Sequence, residues 1–276
     1  MLTQNPFAAL ADFLSPAAMQ TYVVLMIVLV AGGTLFDVLH KGSARYFFDH
    51  WRRARTGSRK PLGGGELASI AVKTAVVDVL ASGEFCNPRR RVAHLLGMYG
   101  FILYVVSTVC LVFDLQNTGL MATLWWLGGA MVCVGGYWFW FFIRVDVAAE
   151  GHSPFRIVRA DLFILSLLAS VTLGLVWALV QAQAGDGIAS RVLFGLYVIA
   201  TTVLFGSVPW SKFAHMFFKP AAALEKRISE ADGTAENLPT LSRDDPEQQQ
   251  RHSMELLRDA PMDMGLGIKR EAPRHY

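Results

Sequence analysis

VAHLLGMYGFILYVVSTVCLVF, Val92–Phe113, is the stretch whose reading decides the fold. It holds no Lys, Arg, Asp or Glu, and it is bounded by Arg89-Arg90-Arg91 on one side and Asp114 on the other. A helix crosses the ~30 Å hydrocarbon layer with ~20 mainly apolar residues, so this window is long enough to span. Working outward, four more windows of the same kind appear: Phe13–Phe36, Leu115–Ile143, Leu162–Gly185 and Val192–Ser211. Of the 276 residues, 53% are hydrophobic and only 17% charged, and the charges are confined between the windows. That pattern excludes a soluble globule. It also excludes a spanning β-barrel, whose strands are short and alternate in polarity. The expected fold class is an all-α membrane protein, a five-transmembrane-helix bundle with helices about 18–39, 93–113, 120–143, 161–183 and 191–215. These form a membrane domain over 18–219, with a long loop at 41–91.

Basic residues set the expected orientation. Residues 41–91 hold eleven Lys and Arg, 144–161 hold three and 212–276 hold ten, whereas the alternate regions hold one, Arg191. Loops rich in Lys and Arg stay on the cytoplasmic side. Five crossings then put the N-terminus outside, with 1–17 a periplasmic tail, and the C-terminus inside, with 220–276 a cytoplasmic tail. The net charge of +3 follows from topology and calls for no nucleic-acid partner. A cleavable signal begins with basic residues, yet the first one here is Lys41, so the opening stretch reads as a tail leading into a retained helix.

Between the spans, SARYFFDHWRRARTGSRKPLGGG opens the first cytoplasmic loop, with seven basic residues in 41–60 that suit anionic headgroups. Glu66–Ser82 carries apolar residues near helical spacing and reads as a short helix on the cytoplasmic face or the membrane surface. Its charges Glu66, Lys73 and Asp78 argue against a sixth crossing. In the third span Gly128–Gly129 recurs seven residues on as Gly135–Gly136, which brings both pairs to one side for the close approach of another helix. Beyond Pro220 the chain turns polar, with SRDDPEQQQRH at its centre. Such a segment cannot bury enough apolar surface to fold alone and is either disordered or ordered against a partner.

Three cysteines, Cys86, Cys110 and Cys133, form no CxxC pair, so neither an iron–sulfur cluster nor a thiolate zinc site is expected within the chain. The two in the spans read as small packing residues. Of seven histidines, His50, His152, His252 and His275 fall in loops or tail and read as surface groups. His94 opens the second span and His215 closes the fifth, in PWSKFAHMFFKP. Both come out at the cytoplasmic edge, on two different helices, as needed to ligate one haem iron from both faces. Gly97 and Phe101 follow His94 along its own face, and a missing side chain beside a ligand leaves room for a flat macrocycle. Arg91 with its two neighbours, Lys212 and Lys219 are placed to meet anionic propionates. Two imidazoles at helix ends are also ordinary interfacial equipment, and His40, at the end of the first span on the same side, is a rival ligand.

On GEFCNPRRRVAHLLGMYGF and WSKFAHMFFKP the chain resembles five-helix membrane cytochrome b subunits of the respiratory nitrate reductase gamma type. It is more similar to the heterodisulfide reductase E type. The greatest likeness is to the membrane part of the quinone-interacting oxidoreductase complex and to the membrane anchor of adenylylsulfate reductase. The likeness covers roughly Gln20–Arg227. It implies a bacterial inner-membrane, multi-pass electron-transfer subunit with haem b on His94 and His215. An exchangeable quinone and cytoplasmic iron–sulfur/flavin oxidoreductase subunits are implied as well. Two departures modify this. The nitrate-reductase type carries a second haem on outer histidines, where this chain has Tyr104 and Tyr197, so one haem is expected. The cysteine-rich domain that precedes the membrane part of the quinone-interacting subunit is not found, which favours a stand-alone anchor. With no outer haem the quinone belongs near the cytoplasmic half, where His40, Asp37 or Lys212 could donate protons. The rival reading is a haem-free five-helix scaffold or transporter subunit; the internal repeats expected of a transporter are not seen.

Overall fold

The computed structural model describes residues 2–40, 43–83, 85, 88–115, 117–145, 153–211 and 215–234. Among these, all regular structure is helical. Eight α-helices run in chain order: α1 Pro16–His40, α2 Ser43–Thr56, α3 Gly64–Lys73, α4 Pro88–Val112, α5 Thr118–Trp138, α6 Leu162–Ala184, α7 Ile188–Gly206 and α8 His215–Ala231. Five of them (α1, α4, α5, α6 and α7) are long and apolar enough to cross a membrane. Helices are the form a single segment must take there, because only they satisfy every backbone group within the segment. At about 1.5 Å per residue the 25 residues of α1 and of α4 outreach the ~30 Å core, whereas the 19 of α7 barely match it. Large apolar side chains stand exposed along these helices, Val28 at 58% and Ile199 at 60% among them. An apolar surface of that extent on a folded chain requires an apolar solvent. This is a multi-pass helical membrane protein.

The chain separates into two compact units. The first comprises residues 1–41, 93–137 and 157–214, and the second 42–92, 138–156 and 215–276. In the first unit the helices approach through glycine. A Cβ added at Gly100 would sit 2.8 Å from the Gly128 carbonyl oxygen, and one at Gly135 2.7 Å from that of Ala93, so α4 and α5 touch backbone to backbone. The adjacent glycines do something else. Gly129 receives the tip of Leu175 and Gly136 that of Leu168, both on α6. The two glycine pairs of α5 therefore serve two neighbours rather than one side, because consecutive helical residues point about 100° apart.

At one pole of this unit the N-terminal segment is folded in. Ala8–Asp12 makes a 3₁₀ turn in which Leu10 is fully buried, and Asn5 Nδ2 donates to the Leu111 carbonyl at 2.9 Å. Residues 5–10 thus cap the bundle, where the sequence suggested a plain tail. At the opposite pole α7 stops at Gly206, well short of the expected 215. Pro209 has no N–H to continue the ladder and disfavours helix at the residue before it, so the chain tightens into a 3₁₀ turn, Val208–Trp210.

In the second unit α3 runs directly into a π-helical stretch, Thr74–Leu80, so the surface helix read over Glu66–Ser82 spans 64–80. Glu66 supports its start, accepting from Gly63 N at 3.2 Å and from Lys60 Nζ at 2.8 Å. Part of the expected polar tail is also helical. α8 passes through Pro220, buries Ala223 and Ile228, and packs on the π-helical stretch, with Arg227 forking onto the Asp78 carboxylate. Residues 221–231 therefore find their apolar partner in their own chain. The rest of that tail, with His252 and His275, lies outside the described residues.

Candidate functional site

Pro88 opens α4 at its first position, where its missing N–H costs nothing. Three arginines follow, against the helix dipole, which favours acidic side chains at that end. Arg91 offsets this locally, its Nε donating to the Ala81 carbonyl at 2.8 Å. One turn later comes His94, half-buried. His94, Gly97 and Phe101 lie on one stripe of α4, spaced three and four residues apart. A Cβ built on Gly97 meets nothing within 4 Å among the described residues, so among them open space adjoins that stripe. Further along, Phe101 meets Phe205 of α7 with ring centroids 6.5 Å apart. The structure thus brings His94, Gly97 and Phe101 together on one face.

His215 belongs to the second unit and does not close the fifth span; it opens α8, and its side chain lies outside the described residues. Lys212, His152 and Cys86, and the side chain of His50, lie outside them too. Among the described residues no group of three or more His, Cys, Asp or Glu could hold a metal ion. Cys110 and Cys133 are free thiols within the spans.

Tyr104 and Tyr197 are buried against one another. Trp125 stacks on Tyr104 at 5.0 Å and Trp177 on Tyr197 at 6.0 Å, and Phe7 closes over both tryptophans. Gly174 receives the Tyr104 hydroxyl and the Tyr197 ring on the face of α6. Side chains fill this part of the bundle to contact.

The opposite pole of the first unit holds a cavity of about 650 Å³. Phe36, Asp37 and His40 of α1, Arg159, and Pro209 and Trp210 line it. Asp37 is only 4% exposed, and Phe36 and His40 stack, their ring centroids 5.1 Å apart and their planes 8° from parallel. The cavity owes its shape to Gly33, whose Cβ position lies 3.1 Å from Val208 and 3.2 Å from Pro209, so the 3₁₀ turn seats directly on α1. Sequence reasoning singles out Asp37 and His40 but not Arg159 or Trp210. Those two come from separate loops, and only the signature PW at a helix end points toward them. It also misses Arg144, fully buried in the second unit, which donates to the carbonyls of Ser153 at 2.9 Å and Arg156 at 2.7 Å and lies 4.3 Å over the Trp140 ring.

No family model, no curated protein and no solved structure matches this chain.

Proposed function

We propose that the chain is the membrane-anchoring electron-transfer subunit of an oxidoreductase complex in the bacterial inner membrane. It links a cytoplasmic iron–sulfur/flavin partner of the adenylylsulfate reductase kind to the quinone pool through one haem b. The observation that carries this reading is the open space beside Gly97 on the His94 stripe of α4, while Tyr104 and Tyr197 leave no such room where they meet. An imidazole donor beside a position without a side chain suits a flat tetrapyrrole.

His94 and His215 are the axial ligands in this proposal, and Arg91 and Lys212 neutralise the propionates. Haem b, when bound, supplies one-electron transfer at a potential set by its axial ligands and its burial. The chain's own contribution is to hold the ligands, exclude water and offer a docking face. Eleven basic residues in 41–91 make that face, and with them the N-terminus lies outside and the C-terminus in the cytoplasm.

The test is the visible spectrum of the purified protein. A reduced b-type band of a single component in wild type, lost in His94→Ala and in His215→Ala, supports the proposal. A colourless wild type overturns it in favour of a scaffold. Co-purification of the solubilised protein with a flavin- or cluster-bearing soluble partner tests the docking half.

A further inference from the structure

The cavity between α1 and the Val208–Trp210 turn combines three features that together narrow its ligand. Its walls are flat and aromatic: the Phe36–His40 stack on one element and Trp210 on another. Its polar groups are few and differ in kind, a buried carboxyl group at Asp37, the imidazole of His40, the guanidinium of Arg159 and the hydroxyl of Ser211. Phe36 and Trp210 are 50% and 57% exposed beside the ends of two helices able to cross a membrane, so apolar surface adjoins the cavity. A ligand entering there needs a planar ring, polar atoms at its edge and a lipid-soluble tail. At about 650 Å³ the cavity lies within the ~300–1,000 Å³ of small-molecule sites, which are likewise mainly apolar with a few placed polar groups.

We propose that this cavity binds the headgroup of a membrane quinone and of its quinol. The ring lies against Phe36, His40 and Trp210. The guanidinium of Arg159 donates to a carbonyl oxygen of the quinone, and a hydroxyl of the quinol donates to the carboxylate of Asp37. The proposal rests on the functional reading above only in taking a quinone as the ligand; its geometry stands on the first unit alone.

The experiment is calorimetric titration of the full-length protein in lipid nanodiscs with a decyl-tailed benzoquinone, then with its hydroquinone. Trp210→Ala is expected to weaken both forms at least tenfold. Asp37→Asn is expected to weaken the hydroquinone about tenfold and leave the quinone within threefold, and Arg159→Gln to do the reverse. Wild type that binds neither form overturns the proposal, as does binding that all three variants retain. Arg159 and Trp210 are exposed, so their variants remain folded and informative even if Asp37→Asn does not fold. The haem band is recorded on the same samples. Quinone binding by a colourless protein would sink the haem and keep this site, whereas a coloured protein without quinone binding would do the opposite.

Discussion

The Tyr104 hydroxyl donates to that of Tyr197 at 3.3 Å across the interior of the bundle, joining α4 to α7. Each ring is stacked on a tryptophan, so the pair is the centre of a four-ring aromatic plug held shut by Phe7. Packed to contact, this region has no slack for added atoms. Gly174→Ala, whose new methyl would press on the Tyr104 hydroxyl and the Tyr197 ring, should destabilise by about 1–3 kcal/mol. The check is the unfolding midpoint of the variant in detergent, followed by tryptophan fluorescence; an unchanged midpoint would show the plug to be looser than described.

Glycines of α4 and α5 should divide sharply on substitution. Gly128→Ala places a methyl 2.7 Å from the Tyr104 backbone nitrogen, which cannot move aside without parting the helices. We expect a loss of several kcal/mol or no folded protein. Gly97→Leu starts from a Cβ position with no other atom of the described residues within 4 Å and should leave the thermal midpoint within a few degrees, yet on the proposed function abolish most of the b-type absorbance. Full absorbance in a folded Gly97→Leu protein would contradict the placement of the cofactor on that stripe.

Asp78 and Arg227 tie α8 to the π-helical stretch Thr74–Leu80. Hydrogen bonding from Arg227, with lesser help from nearby cationic charge, holds the Asp78 carboxyl below its usual range, against the opposing effect of burial. A carboxyl depressed in the folded state contributes stability that is present above the unfolded value of about 4 and is lost as pH falls through the folded value. Acid should therefore loosen α8 below about pH 4. Arg227→Ala should cost about 2 kcal/mol at neutral pH and flatten that dependence. Hydrogen exchange of residues 221–231 between pH 3 and pH 7, corrected for the intrinsic rate, reads both effects.

Arg144 is fully buried and shared between two carbonyls and an indole face. Removing it takes the donor from two carbonyls and the cation from the indole face, and Arg144→Ala should cost about 1–3 kcal/mol. Arg144→Lys keeps the charge but lacks the planar fork that reaches two carbonyls at once, so it should recover less than half of the loss. Equal midpoints for Lys and wild type would show that charge alone matters.

Five spans were legible because a charge in hydrocarbon is so costly that it marks the end of each window, whatever the helix packs against. The surface helix over 64–80 was equally plain, since its apolar spacing and Glu66 are local signals. Helix ends were less so: the fifth span stops at Gly206 because of Pro209, a stop the window of apolar residues did not reveal. The folded N-terminal segment was hidden too. Phe7 and Leu10 look like any apolar residues in a short tail, and only the gap between Trp125 and Trp177 gives Phe7 somewhere to go.

Sequence by itself determined the helical class, the number of spans and the face of α4 that carries His94, Gly97 and Phe101, because these depend on transfer energies and on a fixed helical period. The tertiary structure decided which neighbour each glycine of α5 admits, how Tyr104 and Tyr197 fill the interior, and that Asp37, His40, Arg159 and Trp210 share one cavity. Those are contacts between segments far apart in the chain, fixed by how surfaces of particular shape come together, and no local pattern of residue types encodes them.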